Sequence, residues 1–266
     1  MKKPLKHSKF FLSLVNILKL QAVMKYLLRK MPLIHQLPNG TIYRIRSPES
    51  YMLADEIFQS NIYKSILEKI RIQTFVDLGC NAGYIECLLC ENFGPQIIKG
   101  ILIDANPAMV EEASWHIQRN RMTHCHAVWG VVGTDDKEYS DFYISDVDLS
   151  SSAKKFDKNY PVPIIGRVQR ISTPKVDALK IFHSHFQNER IDLLKIDIEG
   201  SEREFLEQKE NQKLFSLTSW VVIEWHKWHI RLEEMDERIE KIGFKRYDIA
   251  KENEICGIAF YRKNQV

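Results

Sequence analysis

The first 48 residues contain no aspartate or glutamate, no apolar run in the chain approaches the length of a membrane span, and the five cysteines are an odd number. The missing acids divide the chain by charge. Ten basic residues (Lys2, Lys3, Lys6, Lys9, Lys19, Lys25, Arg29, Lys30, Arg44 and Arg46) give residues 1–48 a formal +10, while the other 28 face all 35 acidic residues, so residues 49–266 carry −7. The overall +3 describes neither part. Nucleic-acid binders gain affinity by releasing counterions from a basic surface, which the larger part does not offer, so no nucleic-acid partner is expected. A transmembrane helix needs roughly 20 consecutive apolar residues. The apolar start at 10–15 is broken by Asn16, Lys19 and Gln21, with no clean small-residue cleavage site after it. The protein is therefore expected to be uncleaved, soluble and cytoplasmic. Cys80, Cys87, Cys90, Cys125 and Cys256 suit a reducing compartment in a chain too large to need staples. Cys87 and Cys90 form a C-x-x-C without a second pair at zinc spacing, and read as buried small hydrophobes.

With 266 residues, 44% of them apolar and 27% charged, the chain can bury a full core. The division expected is a basic helical segment with a short strand over 1–48 and a single domain over 49–266. Residues 9–30 carry apolar side chains near a 3.6-residue period and read as an amphipathic helix. A short strand is expected over 41–46 and a second helix over 50–71. Short apolar runs follow at 75–78, 100–103, 127–132, 191–196 and 220–224, separated by helical stretches, which implies a mostly parallel sheet covered on both faces. The runs at 244–247 and 257–261 read as an antiparallel terminal hairpin. The polar stretch 146–159 reads as a loop.

The run at 75–78 ends in Asp77-Leu78-Gly79-Cys80-Asn81-Ala82-Gly83 and enters a helical stretch at once. Two glycines permit a tight turn and close backbone approach to a ligand at a helix N-terminus. The spacing G-x-x-x-G is neither the dinucleotide G-x-G-x-x-G nor a phosphate-binding loop ending in G-K-[ST]. Asp104 closes the next run, within Ile103-Asp104-Ala105-Asn106-Pro107, where a carboxylate accepts hydrogen bonds from ribose hydroxyls. Together these features point to an adenosine-bearing ligand. The run at 191–196 leads into Lys195-Ile196-Asp197-Ile198-Glu199-Gly200-Ser201-Glu202. Its charged residues 195, 197 and 199 would share one face of an extended segment, an arrangement that is costly without partners and that marks an active-site group.

These segments carry a resemblance. The combination of FVDLGCNAGYIE, IDANP and the stretch from TPKVD to LLKIDIEGSEREFL resembles the FkbM family of S-adenosylmethionine-dependent methyltransferases, over roughly residues 70–225. Cys80 stands where the family usually has alanine. The resemblance implies an α/β, Rossmann-like class I methyltransferase fold, with a mostly parallel seven-stranded sheet and an antiparallel terminal hairpin. It places Asp77, Gly79, Asn81 and Gly83 around the methionine part of S-adenosylmethionine and Asp104 at the ribose, with Asn106 a further cofactor contact and His126 to Val128 near the adenine. It implies O-methylation of a hydroxyl or carboxyl on a small molecule or sugar. Glu199 is the first candidate for the base and Asp197 the second, with Lys195 holding them ionised or orienting the acceptor. His226, after the run at 220–224, is a further candidate because imidazole titrates near neutrality. A divalent metal on Asp197, Glu199, Glu224 and His226 is left open. The pairs His124/His126 and His183/His185 read as surface or core histidines.

The alternative is a non-catalytic binding module that keeps the sheet as a scaffold. The N-terminal helix has two readings: packing or oligomer contact, or peripheral contact with an anionic membrane.

Overall fold

Strands that are apolar on both sides have to be covered on both sides, and that requirement sets the architecture. The computed structural model describes residues 21–60, 62–133, 137–145, 168–187 and 189–264. Helix α1 (Gln21–Lys30) is followed by a hairpin of β1 (Leu33–Gln36) and β2 (Ile42–Ile45), then by α2 (Pro48–Gln59) and a short α3 (Lys64–Leu67). The chain then alternates: β3 (Thr74–Leu78), α4 (Tyr84–Phe93), β4 (Lys99–Asp104), α5 (Pro107–Arg119), β5 (Cys125–Trp129). Three strands follow, β6 (Val131–Val132), β7 (Tyr139–Ser145) and β8 (Val168–Val176), and form a small sheet in the order β6-β8-β7. The chain closes with α6 (Ala178–His185), β9 (Ile191–Ile196), α7 (Glu202–Glu207), α8 (Gln212–Leu217), β10 (Thr218–His226), α9 (Leu232–Lys241), β11 (Phe244–Glu252) and β12 (Cys256–Lys263).

The main sheet has seven strands in the order β11-β12-β10-β9-β3-β4-β5. The pairs from β5 to β10 are parallel, and β12 pairs antiparallel with both β10 and β11. The order reverses at β3 and β9, and ligands of open α/β sheets bind at the carboxyl ends of strands beside such a switch point. This is the seven-stranded sheet with a reversed hairpin that the resemblance implies. Side chains alternate between two cores. Phe75, Leu102, Leu193 and Val222 meet α2 and α4, whereas Val76, Ile103, Leu194 and Ile223 meet α6, α7 and α9.

Several elements differ from the sequence reading. The helix expected over 50–71 begins earlier, because Ser47 and Ser50 form a reciprocal capping box with Pro48 in the first turn. It stops at Gln59, and α3 is a separate turn. The run at 127–132 is two strands: β5 pairs with β4, the chain bends at Gly130, and β6 pairs with β8. Strands β7 and β8 were not anticipated, since half-exposed polar sequences such as YSDFYIS and VQRISTPKV carry no apolar run. The strand expected over 41–46 is β2, and β1 precedes it unannounced. The loop read at 146–159 and the helix before residue 21 lie outside the described residues.

The β2 hairpin strand is pinned to the main sheet's helices. Tyr43 and Ile45 enter the core, and the Arg44 amide donates to His116 Nε2 at 2.9 Å. Burial lowers the His116 pKa to about 4, so the ring is neutral and its Nδ1 donates to the Ala82 carbonyl at 2.7 Å. Arg44 grips the buried Glu112 carboxylate with two bonds of 2.7 and 2.9 Å, and Arg46 reaches its second side. Two of the ten N-terminal cations therefore neutralise one buried acid. Removing one partner of a buried ion pair costs about 3–5 kcal/mol, whereas an exposed pair contributes under about 1 kcal/mol. Glu112→Ala is expected to lower unfolding free energy in urea by about 3 kcal/mol. Glu189→Ala, which breaks the half-exposed Lys99 pair, is expected to change it by less than about 1 kcal/mol.

Candidate active site

The turn after β3 is built by backbone geometry. Gly79 has φ +79°, and a Cβ placed there would lie 1.7 Å from the Asp197 carbonyl oxygen, so only glycine lets the β3 turn touch the end of β9. The Asp197 amide donates to the Leu78 carbonyl at 2.9 Å, and the Gly79 amide to that of Ile103 at 2.8 Å. Three strand ends are thus locked together. Asp104 ties the next turn to them, because its carboxylate accepts from the Asn81 amide at 2.8 Å and from the Asn106 amide at 2.8 Å. Asn106 in turn caps α5 through the Ala108 amide at 3.0 Å. Burial pushes the Asp104 carboxyl up to about 6, against the pull of those two amides.

Two cavities meet at this turn. The first has Asp104 and Asn106 at one side, Ile103, Val131, Val132 and Phe142 as apolar walls, and Asp197, Glu199 and Ser201 at the far end. The second is lined by Tyr63, Lys195, Glu224, His226, Trp228 and Lys251. Gly79, Asn81, Asp197 and Glu199 line both. Each predicted residue therefore has a definite place. Gly79, Asn81, Asp104 and Asn106 line the first cavity, Asp197 and Glu199 stand on the shared wall, and Lys195 and His226 line the second. Asp77, Gly83 and Val128 are not among the residues lining these cavities. Asp77 is buried behind the turn, Gly83 precedes α4 against Ala113, and on the β5 side the wall comes from Gly130–Val132 instead of Val128.

The charges form two linked groups. Lys195 Nζ donates to Asp77 Oδ1 at 3.0 Å and to the Gly79 carbonyl at 3.1 Å, and lies 3.4 Å from Asp197 Oδ2. Burial opposes its charge, but Asp77 and Asp197 outweigh burial and raise its pKa well above the ordinary lysine value. In the second group, His226 lies between Glu202 (Nδ1 to Oε1, 3.0 Å) and Glu199 (Nε2 to Oε2, 3.3 Å). Burial works against its protonation, yet the two carboxylates raise its pKa well above the ordinary value. This corrects the expectation of a free imidazole base, since the ring is a held cation at neutral pH. Glu199 is the opposite case, with its pKa raised by burial even though His226 lowers it.

The expectation that residues 195, 197 and 199 share one extended face also needs correction. β9 stops at Ile196, and Glu199 adopts φ +49°, which turns its carboxylate to His226. Gly200 follows at φ +84°, and its missing Cβ leaves room for the Trp228 ring, which would otherwise lie 2.0 Å away. Asp197, Glu199 and His226 present donor atoms within 4.8 Å of one another and could hold a divalent cation, which would have to displace the proton between His226 and Glu199. The rings of His126 and His185 stack at 3.9 Å, apart from the residues lining either cavity.

Sequence reasoning missed Glu86, Tyr63, Phe142 and Lys251. Glu86 is fully buried in α4, and neither of its oxygens has a donor, nor does Asp77 Oδ2. Burial, followed by Asp77, raises the Glu86 pKa well above the carboxylate range. A proton on Glu86 satisfies the pair. The only signal in the sequence was a glutamate inside an otherwise apolar helical stretch.

The chain belongs to the FkbM methyltransferase family: the methyltransferase FkbM domain matches residues 95–246. That match begins downstream of the glycine turn and includes the β9 motif. No curated protein matches the chain. Among solved structures it is similar to the magnesium protoporphyrin IX methyltransferase of Synechocystis PCC 6803 with bound SAH (9% identity, 81% of this chain and 84% of that one, TM-score 0.45). It is also similar to a SAM-dependent methyltransferase from Aquifex aeolicus (12% identity, 79% and 92%, TM-score 0.43). A third is Aeropyrum pernix fibrillarin in complex with S-adenosyl-L-methionine (8% identity, 88% and 83%, TM-score 0.46).

A folded-state pKa above the unfolded one means that folded Glu86 binds its proton more tightly. Its contribution to stability is full below the ordinary carboxylate pKa and is lost as pH rises through that value toward the raised one. Glu86→Gln keeps the shape and a donor for Asp77 but does not titrate. The melting temperature of this variant is expected to exceed that of the parent, by a margin that widens from about pH 5 to about pH 8 in calorimetry.

Proposed function

We propose that the protein is an S-adenosylmethionine-dependent O-methyltransferase acting on a hydroxyl, or a carboxyl, of a small molecule or sugar. One observation carries this reading: two cavities share the wall formed by Gly79, Asn81, Asp197 and Glu199. A donor in the first and an acceptor in the second would meet there. The first cavity fits the donor in its chemistry. It offers a carboxylate, Asp104, for ribose hydroxyls, an apolar slot of Ile103, Val131, Val132 and Phe142 for a flat ring, and acidic groups at the end where a sulfonium would lie. When bound, S-adenosylmethionine supplies an electrophilic methyl group.

The chain's own residues then have three tasks. The shared wall aligns the acceptor oxygen with the methyl carbon, and positioning of this kind is worth roughly 7–11 kcal/mol relative to free encounter. Glu199 takes the hydroxyl proton as the new oxygen–carbon bond forms and the sulfur–carbon bond breaks, its electron pair remaining on sulfur. His226 and Glu202 hold Glu199 in place. Glu224, whose carboxyl is pushed up to about 8 by burial and by Asp197, is a neutral donor that can bind an acceptor oxygen at pH 7.

Calorimetric titration is expected to show binding of S-adenosylhomocysteine, and no affinity for it would remove the reading. Below about pH 6, Asp104 becomes protonated and stops accepting. Affinity is therefore expected to fall several-fold between about pH 7.5 and about pH 5.5, and Asp104→Asn should weaken binding and flatten that profile. In a screen of hydroxylated acceptors with labelled donor, Glu199→Gln is expected to lower kcat by at least about 100-fold, the low end for general-base catalysis, while affinity for S-adenosylhomocysteine stays unchanged. Donor binding without transfer to any acceptor would favour the binding-module alternative.

A further inference from the structure

A row of large apolar side chains near the start of the described chain faces away from the domain. Val23, Tyr26, Leu27, Met31, Leu33 and Ile34 are between 47% and 74% exposed. They make up six of the thirteen large apolar side chains exposed among the described residues, within a stretch of 12 residues. Positions 23, 26 and 27 lie at i, i+3 and i+4 on α1, and Met31 continues the stripe one turn on. A helix of a soluble domain turns such a stripe to the core. In α1 the half-buried positions are Met24, Lys25 and Leu28, and the stripe lies on the outside.

The segment that carries the stripe has charge of one sign. Arg29 and Lys30, both exposed, follow the stripe at the end of α1, and no acidic residue occurs anywhere before Glu49. Helices with an apolar face and a basic flank lie in the interface of anionic bilayers, with apolar side chains at the head-group boundary and cations on lipid phosphates. A second copy fits less well. A two-fold contact would set stripe against stripe and bring Arg29 and Lys30 of both copies together without an acidic partner in either segment.

We propose that α1 and the residues just after it dock on an anionic lipid surface, with Tyr26, Leu27, Met31 and Ile34 entering the head-group boundary and Arg29 and Lys30 contacting lipid phosphates. This holds independently of the methyl-transfer reading. The test is co-sedimentation of the full chain with vesicles of phosphatidylcholine alone and of phosphatidylcholine mixed with phosphatidylglycerol. Binding is expected to be at least about tenfold tighter to the mixed vesicles and to weaken as salt is raised. The double variant Leu27→Asp with Met31→Asp should lose that binding while keeping the parent melting temperature, since both side chains are exposed. Equal partitioning onto both vesicle types, or unchanged binding of the double variant, would overturn the proposal. So would a dimer in light scattering that the same double variant dissociates.

Discussion

The buried ammonium of Lys195 is the contact on which the site depends. It bonds Asp77 on β3, the carbonyl of Gly79 in the turn after β3, and Asp197 just past β9. These are the ends of the two adjacent central strands where the sheet order reverses. Electrostatic attraction at this point draws together two backbone segments that sheet pairing alone would leave side by side. The bond between Asp197 N–H and the Leu78 carbonyl extends the pairing past the end of β9, and Gly79 without a Cβ permits the contact. With the Gly79 and Asp197 part of the wall fixed in this way, Glu199 on the same wall and His226 beyond it are set with little freedom. A buried lysine is costly unless paired, so the two aspartates are a condition of its presence.

The sheet was legible because its strands must be apolar on both faces, and that leaves short apolar runs in the cores of β3, β4 and β10 and a mostly apolar Ile191–Ile196 interrupted by Asp192 and Lys195. The small β6-β8-β7 sheet was not legible. Its strands are half-exposed, and their pairing is set by long-range register between Tyr139–Ser145 and Val168–Val176 that no local pattern announces. The candidate site was legible in its residue types: Asp104, Asp197, Glu199 and Lys195 all stand at the cavities. Its roles were less so. A strand period of two assigns residues 195, 197 and 199 to one face, and the left-handed turn at Glu199 breaks that period one residue before Gly200. Whether an imidazole is a base or a held cation depends on what lies on its two nitrogens. For His226 these are Glu202, 24 residues away, and Glu199.

The second cavity combines polar groups of both signs with aromatic walls. Lys251 bonds Glu56, and Tyr63 and Trp228 line the space beside Glu224. Such a lining suits an acceptor with several polar groups and an apolar face. Its cations Lys195, His226 and Lys251 are each paired with a carboxylate at short range. Specificity there would come from the geometry of donors and acceptors, since a site that leaves a buried polar group unmatched rejects the wrong ligand strongly.

The formal −7 of residues 49–266 overstates the field at the proposed donor. Around the shared wall, Asp77, Asp197, Glu199 and Glu202 are set against the two cations Lys195 and His226, while Glu86 and Glu224 are held neutral by burial and by neighbouring carboxylates. Four negative charges against two positive, with Asp104 a further carboxylate in the donor cavity, leave the site negative. That remainder attracts a sulfonium, whose charge is lost from sulfur as the methyl leaves. A stronger negative field would stabilise the bound cation more than the transition state and so tighten binding without raising turnover. Keeping two of the six carboxyls protonated and two cations in the network limits that ground-state attraction, while Glu199 on the wall remains available for the proton. The acidity of the larger part of the chain is thus partly cancelled where the proposed chemistry would occur.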